Sequence, residues 1–291
     1  MKGVIIVNAY YDAAEYLYQP DRLQKEFALL GVKVDIIKNN CALFSITNGN
    51  LVSALNGYDF CIYYDKDKYL LSAIESLKIP TFNRMQAIEN CDDKMLTYMK
   101  IADNNVKIPD TISGLLCYDN NATISKQTLC DIEKLGYPII VKESYGSRGK
   151  GVYIANDRKG LLDICQKVKC KPHLFQKCVT TSYGKDVRVI VVGGRVLGGM
   201  LRQSNGDFRS NLAVGGNASI YELDENTKAL CLKIADILNL DYCGIDLLFD
   251  GNGGFYVCEV NSNAFFNGFE KATGINVAKT YAEYILNKIN G

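Results

Sequence analysis

CGIDLLFDGNGGFYVCEVN, residues 243–261, is the stretch on which the fold turns. Two apolar runs rich in aromatic and branched residues flank Asp250 to Gly254, a cluster of turn formers, so the stretch reads as a β-hairpin. A turn centred on Gly251 to Gly254 brings Asp246 opposite Glu259. Opposed side chains on one sheet face have Cβ atoms about 5 Å apart. Two carboxylates that close in an apolar setting repel, so one keeps its proton or a cation lies between them. Asn261, two residues past Glu259, points to the same face. Oxygen donors from Asp, Glu and Asn, with no His or Cys, suit magnesium, whose other positions go to water and phosphate oxygens. The spacing leaves two other readings open: a general acid–base pair, and a structural pair thrown out of register by a bulge.

A second hairpin precedes it. DVRVIVV (186–192) and RVLGGMLR (195–202) flank Gly193-Gly194, a strong two-residue turn signal. Further upstream, PIIVKES (138–144) and GVYIA (151–155) flank the glycine-rich loop Ser144-Tyr-Gly-Ser-Arg-Gly-Lys-Gly151. Its G-x-x-G-x-G spacing, running strand to strand, fits neither the dinucleotide fingerprint nor the P-loop, both of which need a helix after the loop. A glycine loop between antiparallel strands suits a flap over nucleotide phosphates. Lys142, a charge inside an apolar strand, needs a partner, and phosphate is a reasonable one. An ordinary hairpin loop with a snorkelling lysine is the bland alternative. Arg202, Arg209 and Asn211 fall in a polar segment able to clamp anions or simply to meet solvent. Lys94 follows a helix cap at Asp92 and on its own reads as a surface lysine.

The first ninety residues alternate strand and helix: GVIIVNA (3–9), a helix opened by Pro20 and stopped by Gly31, VKVDIIK (32–38), DFCIYY (59–64), a helix over 69–77, and IPTFN (79–83). That order implies a small parallel sheet covered on both faces. With 33 basic and 32 acidic residues among 291, the net charge is +1, which provides no long-range field for nucleic acid or an acidic membrane. No run approaches the ~20 apolar residues of a membrane span. The eleven cysteines contain no C-x-x-C pair, and His173 is the one histidine, so a zinc site is disfavoured and reduced core cysteines in a cytoplasmic protein are expected.

Together these segments resemble the ATP-grasp superfamily, and within it the RimK-like alpha-L-glutamate ligases. The likeness is strongest from Asp186 onward, through DVRVIVVGGRV, GDFRSNLAVGGNAS, CGIDLL, CEVN and GFEKATGINVA. It implies an α/β (α+β ATP-grasp) fold: a small N-terminal parallel α/β domain (1–91), then two α+β subdomains (92–182 and 183–291) that sandwich ATP. It implies ATP-phosphate lysines at Lys94 and Lys142, and a flap over 144–151 that includes Ser147, Gly149 and Gly151. Gln176, Lys177, Cys178 and Val179 match the adenine-reading hinge, and Asp186 an acidic residue near the nucleotide. Arg209, Ser210 and Asn211 match phosphate contacts, Arg202 an arginine at the reacting centre, and Asp246, Glu259 and Asn261 the metal ligands.

The activity implied is ATP-dependent joining of a carboxylate to an amine through an acyl phosphate, adding an amino acid such as glutamate to a peptide or small molecule. ATP and Mg²⁺ (two ions, Mn²⁺ as substitute) are the implied cofactors, and a dimer or tetramer the implied assembly. A catalytically silent nucleotide-binding regulator and an ATP-dependent phosphotransferase are the alternatives. The chain departs from the family at Lys177, where an acidic residue is common, and at Ser262-Asn-Ala-Phe-Phe266, where the family commonly has a Ser-Pro-Gly turn. There a floppier, more aromatic loop is expected on the acceptor side.

Overall fold

A computed structural model describes residues 1–11, 13–146, 149–204, 206–210 and 216–291. The first part runs β1 (Lys2–Val7), α1 (Ala14–Leu29), β2 (Lys33–Lys38), β3 (Phe44–Thr47), β4 (Asn50–Ser53), β5 (Phe60–Tyr64), α2 (Lys68–Ser76), β6 (Thr81–Phe82) and α3 (Met85–Asp92). The expected parallel sheet has the order β2-β1-β5-β6. Val4, Ile5 and Ile6 are wholly buried because both faces of the sheet are covered, which is why the strand reads as an unbroken apolar run. Helix α1 starts at Ala14, not at Pro20, which lies inside it. The backbone bond lost at Pro20 is offset by a buried stripe, Gln19, Leu23 and Phe27, at i, i+4, i+8 spacing. The β3–β4 hairpin was not expected. Its Asn48-Gly49 turn, with φ of +50° and +76°, carries a signal visible in the sequence.

The central part comprises α4 (Lys94–Ile101), β7 (Thr111–Ser113), α5 (Lys126–Glu133), β8 (Ile139–Glu143), β9 (Val152–Ala155), α6 (Arg158–Val168) and β10 (His173–Lys177). Its antiparallel sheet has the order β7-β10-β8-β9. Residues of α5 and α6 close a separate core over it, with Ile132, Leu161 and Val168 against Ile139 and Val141. The cap of α4 is Asp93, whose side chain accepts from the N–H of Met95 and Leu96, whereas Asp92 ends α3. Tyr98 and Ile101 of α4 share a core with the third sheet and with Leu174 of the central one, so α4 bridges the two.

That third sheet is built from β11 (Lys185–Val192), β12 (Arg195–Gln203), β13 (Asn217–Tyr221), β14 (Tyr242–Phe249) and β15 (Phe255–Asn261), with α7 (Glu225–Ile237), α8 (Asn267–Thr273) and α9 (Val277–Asn290). The order is β13-β12-β11-β14-β15, all antiparallel. Strand alternation decides what each face does. Val187, Val189 and Val191 of β11 join one core with α4 and α7. Ile190 and Val192 join another with Ile5 and Phe60 of the first sheet, Phe27 of α1 and Tyr281 of α9. Asp186 and Arg188 continue that second face where the first sheet no longer covers it, and there the polar groups gather. Among the described residues no helix is long and apolar enough to cross a membrane.

Asp250 ties off the turn between β14 and β15. Its carboxylate takes Lys107 Nζ at 2.8 Å and the N–H groups of Asn252 and Gly254 at 2.8 and 2.9 Å. The Lys107 hydrogen bond first, then those two N–H groups, hold its pKa at about 2. A depressed carboxylate stabilises the fold above its unfolded value, ~3.9, and that contribution is lost as pH falls through about 2. Asp250→Asn is therefore expected to flatten the acid-side fall in urea midpoint between those pH values. Wild-type acid dependence in the variant would count against Asp250 as the group responsible.

Candidate active site

Asp246 does lie opposite Glu259, by a different route from the one the turn residues suggest. Near the turn the pairs are Phe249 with Phe255 and Leu247 with Val257, which centres the turn on Asn252. Cys258 is then an extra residue on β15, and beyond it Asp246 pairs with Glu259 and Gly244 with Asn261. The bulge, which in the sequence reading would break the pair, is what makes it.

Around Asp246, 3% exposed, the β11 and β12 arginines form a ladder of ion pairs. Arg188, its cross-strand partner, donates Nε to Oδ1 and Nη2 to Oδ2, both at 2.7 Å. Arg202 Nη2 reaches Oδ2 at 2.8 Å. Arg202 also forks onto its own cross-strand partner, Asp186, at 2.7 and 2.5 Å, and Ser210 Oγ donates to Asp186 Oδ2 at 2.5 Å. Burial alone would raise the Asp246 carboxyl; Arg188 and Arg202 more than reverse that and hold it below the usual carboxylate range. Burial likewise opposes the Arg202 charge, and Asp246 and Asp186 overcome it. Glu259 is less committed, with its side chain 26% exposed and Lys94 Nζ 3.6 Å from Oε1.

Two lysines stand above this floor. Lys94 Nζ also donates to the carbonyl of Gly146 at 3.0 Å, at the base of the glycine loop. Lys142, 6% exposed, is 3.2 Å from the Tyr98 hydroxyl and 3.7 Å from Cys258 Sγ. Burial would strip its proton, but Cys258, Tyr98 and Glu259 more than compensate, so it stays an ammonium. Arg209 Nη1 donates to the carbonyl of Gly149 at 3.0 Å, joining the flap to the 206–210 segment.

These groups border one cleft of about 870 Å³, open mouth included. Lys94, Lys142, Gly149, Arg209, Ser210, Asp186, Asp246 and Glu259 line it, as do Gln176, Lys177, Cys178 and Val179. Of the remaining expected residues, Gly151 sits at the flap hinge with φ +73°, its carbonyl bonded to the Glu143 N–H. Arg202 and Asn261 are not among the cleft-lining residues. Ser147 and Asn211 lie outside the described residues. Arg188 was missed, although its place two residues from Asp186 in an alternating strand marked it as facing the same way. Also missed were Ile140, Val152 and Leu248, apolar walls of the cleft that look like ordinary core in sequence, and Phe208, an aromatic inside the polar 202–211 segment.

The loop after Asn261 departs from expectation. It is pinned: the Ser262 carbonyl accepts from Asn83 Nδ2 at 2.8 Å, and the Ala264 carbonyl from Gln19 Nε2 and Tyr242 Oη at 2.9 and 2.6 Å. Phe266 is fully buried. Phe265 alone of the pair is partly exposed, edge-on to Tyr16, which stacks on Tyr11.

The donor set fits a hard cation. A carboxylate offers about four lone-pair sites, and the arginines occupy three at Asp246. One remains on Asp246, which pairs across the strands with the less committed Glu259; two residues on, Asn261 keeps a buried Nδ2 without a partner. Few protein ligands, completed by water and phosphate, is the pattern magnesium prefers. The apolar residues among the cleft's walls suit a planar base, and its cations suit a triphosphate.

The sequence model described as a RimK-like ATP-grasp domain matches residues 91–285. N-acetylaspartylglutamate synthase A of Homo sapiens is 42% identical over 224 residues, covering 76% of this chain and 56% of that protein. The glutamate–LysW ligase ArgX of Sulfurisphaera tokodaii is 32% identical over 243 residues, covering 80% of this chain and 83% of that one. The chain spans little more than half the length of the vertebrate relatives it matches. In fold it is similar to the D-alanine–D-alanine ligase of Bacillus anthracis, with a TM-score of 0.75 at 19% identity over 100% of this chain and 97% of that one.

Proposed function

The chain belongs to the RimK-like ATP-grasp family, and on that footing we propose that it is an ATP-dependent carboxylate–amine ligase. The observation that carries this reading is one cleft lined by Asp246 and Glu259 together with Lys94, Lys142 and Arg209, with Asp246 held from behind by the buried pair Arg188 and Arg202.

In this proposal ATP lies with its base against Gln176 to Val179 and its phosphates toward Lys94, Lys142 and Arg209. Asp246, Glu259 and Asn261 would hold magnesium, two ions in the fuller version. The chemistry it would supply there is neutralisation of phosphate charge. The substrate carboxylate attacks the γ-phosphorus, ADP leaves, and an acyl phosphate forms. An amine then attacks the acyl carbon and phosphate departs, leaving an amide. The protein's own part is positioning and charge neutralisation, so neither a nucleophilic side chain nor a histidine base is required. Arg209, hooked to Gly149, would keep the flap over the acyl phosphate and water away from it.

An amino acid such as glutamate as the amine, a small-molecule or peptide carboxylate, a homo-oligomer and a cytoplasmic setting complete the proposal. So does the division into units at 1–91, 92–182 and 183–291. The test is a phosphate-release screen over carboxylates paired with amino acids, with products identified by mass. An amide product together with ADP supports the reading; a phosphorylated product, or nucleotide binding without turnover across the screen, overturns it. Lys142→Ala is expected to weaken ATP binding by roughly 10- to 100-fold, the worth of a charge-assisted bond, as read by calorimetry. Unchanged nucleotide affinity would remove Lys142 from the phosphate site.

A further inference from the structure

Two segments that each carry a cysteine meet at the β7 edge of the central sheet, and neither cysteine is among the cleft-lining residues. Cys117 follows β7, the edge strand, and Cys170 follows α6. The Cys117 N–H donates to the carbonyl of Lys169 at 2.8 Å. From that bond, standard backbone lengths put the Cα atoms of Cys117 and Cys170 at most about 7 Å apart, and less once the path bends. Disulfides span Cα separations of about 4.4–6.8 Å. The side chains also converge. Cys117 Sγ donates to the Asp119 carbonyl at 3.0 Å and Cys170 Sγ to Asn120 Oδ1 at 3.2 Å, so the two sulfurs approach adjacent residues of one turn. Lys169 Nζ holds that turn in place through the carbonyls of Asn120 and Ala122, at 2.6 and 2.5 Å. Cys170 is exposed and Cys117 half-buried, so a reagent in solution reaches the first and the second is placed to complete the bond.

We propose that Cys117 and Cys170 form a reversible disulfide that staples the lobe covering the cleft. The chemistry is thiol–disulfide exchange with a small-molecule disulfide. The Cys170 sulfur, having lost its proton, attacks one sulfur of the reagent and expels the first small thiol. The Cys117 sulfur, deprotonated in turn, attacks the Cys170 sulfur of the mixed disulfide and expels the second. Two protein thiols are oxidised and one small disulfide is reduced to two thiols. The ring closed this way, 117 to 170, contains α5, β8, the glycine loop, β9 and α6. It joins segments already in contact, so it costs little strain and removes freedom from the unfolded chain. Being at the surface, the bond stays open to reductants and so can report the redox state of its surroundings. This inference stands apart from the ligase reading.

The test treats the full chain with oxidised glutathione or with dithiothreitol, then alkylates the remaining thiols after unfolding and measures intact and peptide mass. The expected result is loss of two alkylatable thiols from the eleven, a peptide linking Cys117 to Cys170, and a higher thermal midpoint than the reduced protein by several degrees. Cys117→Ser and Cys170→Ser should each abolish the linked peptide and the difference in midpoint. Eleven free thiols after oxidation, a glutathione adduct on Cys170 that never resolves to a ring, or a ring joining other cysteines would overturn it.

Discussion

Asp246→Asn is expected to lower ADP release by at least ~100-fold while also loosening the fold by about 3 kcal/mol. Removing a group that merely orients a metal ligand costs 10- to 100-fold in affinity or activity, so losing the charge of a proposed ligand should cost no less. The stability loss has a separate cause. Arg188 and Arg202 both end on this carboxylate in a buried setting, and breaking a buried pair leaves uncompensated charge worth roughly 3–5 kcal/mol. Arg202 keeps Asp186, which places the estimate at the lower end of that range. Steady-state ADP release and urea unfolding read the two effects independently. Wild-type turnover in a destabilised variant would leave Asp246 a structural residue and remove it from the metal proposal.

Asn83→Ala should cost about 3–5 kcal/mol of stability. Asn83 is 1% exposed, and its amide serves four backbone partners. Oδ1 accepts from the N–H of Asp241 and Tyr242 at 2.6 and 3.0 Å; Nδ2 donates to the carbonyls of Tyr242 and Ser262 at 2.7 and 2.8 Å. It thereby closes the open end of the β14–β15 hairpin, opposite its turn, from the residue just after β6. Truncation leaves two buried N–H groups unsatisfied at ~1–3 kcal/mol each, and frees the loop that follows Asn261. Urea unfolding checks the first consequence, and hydrogen exchange at 262–266 the second. An unchanged midpoint would mean that water or a shifted backbone takes over the four bonds.

Neither residue was equally legible. Asp246 could be found because it lies in a strand of period 2 facing Glu259 across a turn with recognisable residues. Asn83 could not: its partners lie 158 to 179 positions away, and no local periodicity connects them. The same limit explains the ladder. Arg202 looked like an arginine awaiting an anion, because a sequence does not reveal that Asp186 and Asp246 already meet it from neighbouring strands. It explains the 262–266 loop as well, which lacks stiffening residues of its own and is held by Gln19, Asn83 and Tyr242 from elsewhere. The flap residues Ser147 and Arg148 and the segment 211–215 lie outside the described residues, so the expectations at Ser147 and Asn211 rest on sequence alone.

Local order was written in the chain: the unbroken apolar strands of a two-sided parallel sheet, the Gly193-Gly194 turn, and the glycine loop between antiparallel strands. Each depends on residues a few positions apart, where backbone preference and side-chain alternation act directly. Tertiary packing alone decided which carboxylates are paired with arginine, that a bulge at Cys258 sets the Asp246–Glu259 register, and that Asn83 holds the hairpin's open end. Those outcomes depend on burial, which turns a polar group without a partner into a cost of kilocalories and makes distant strands supply one.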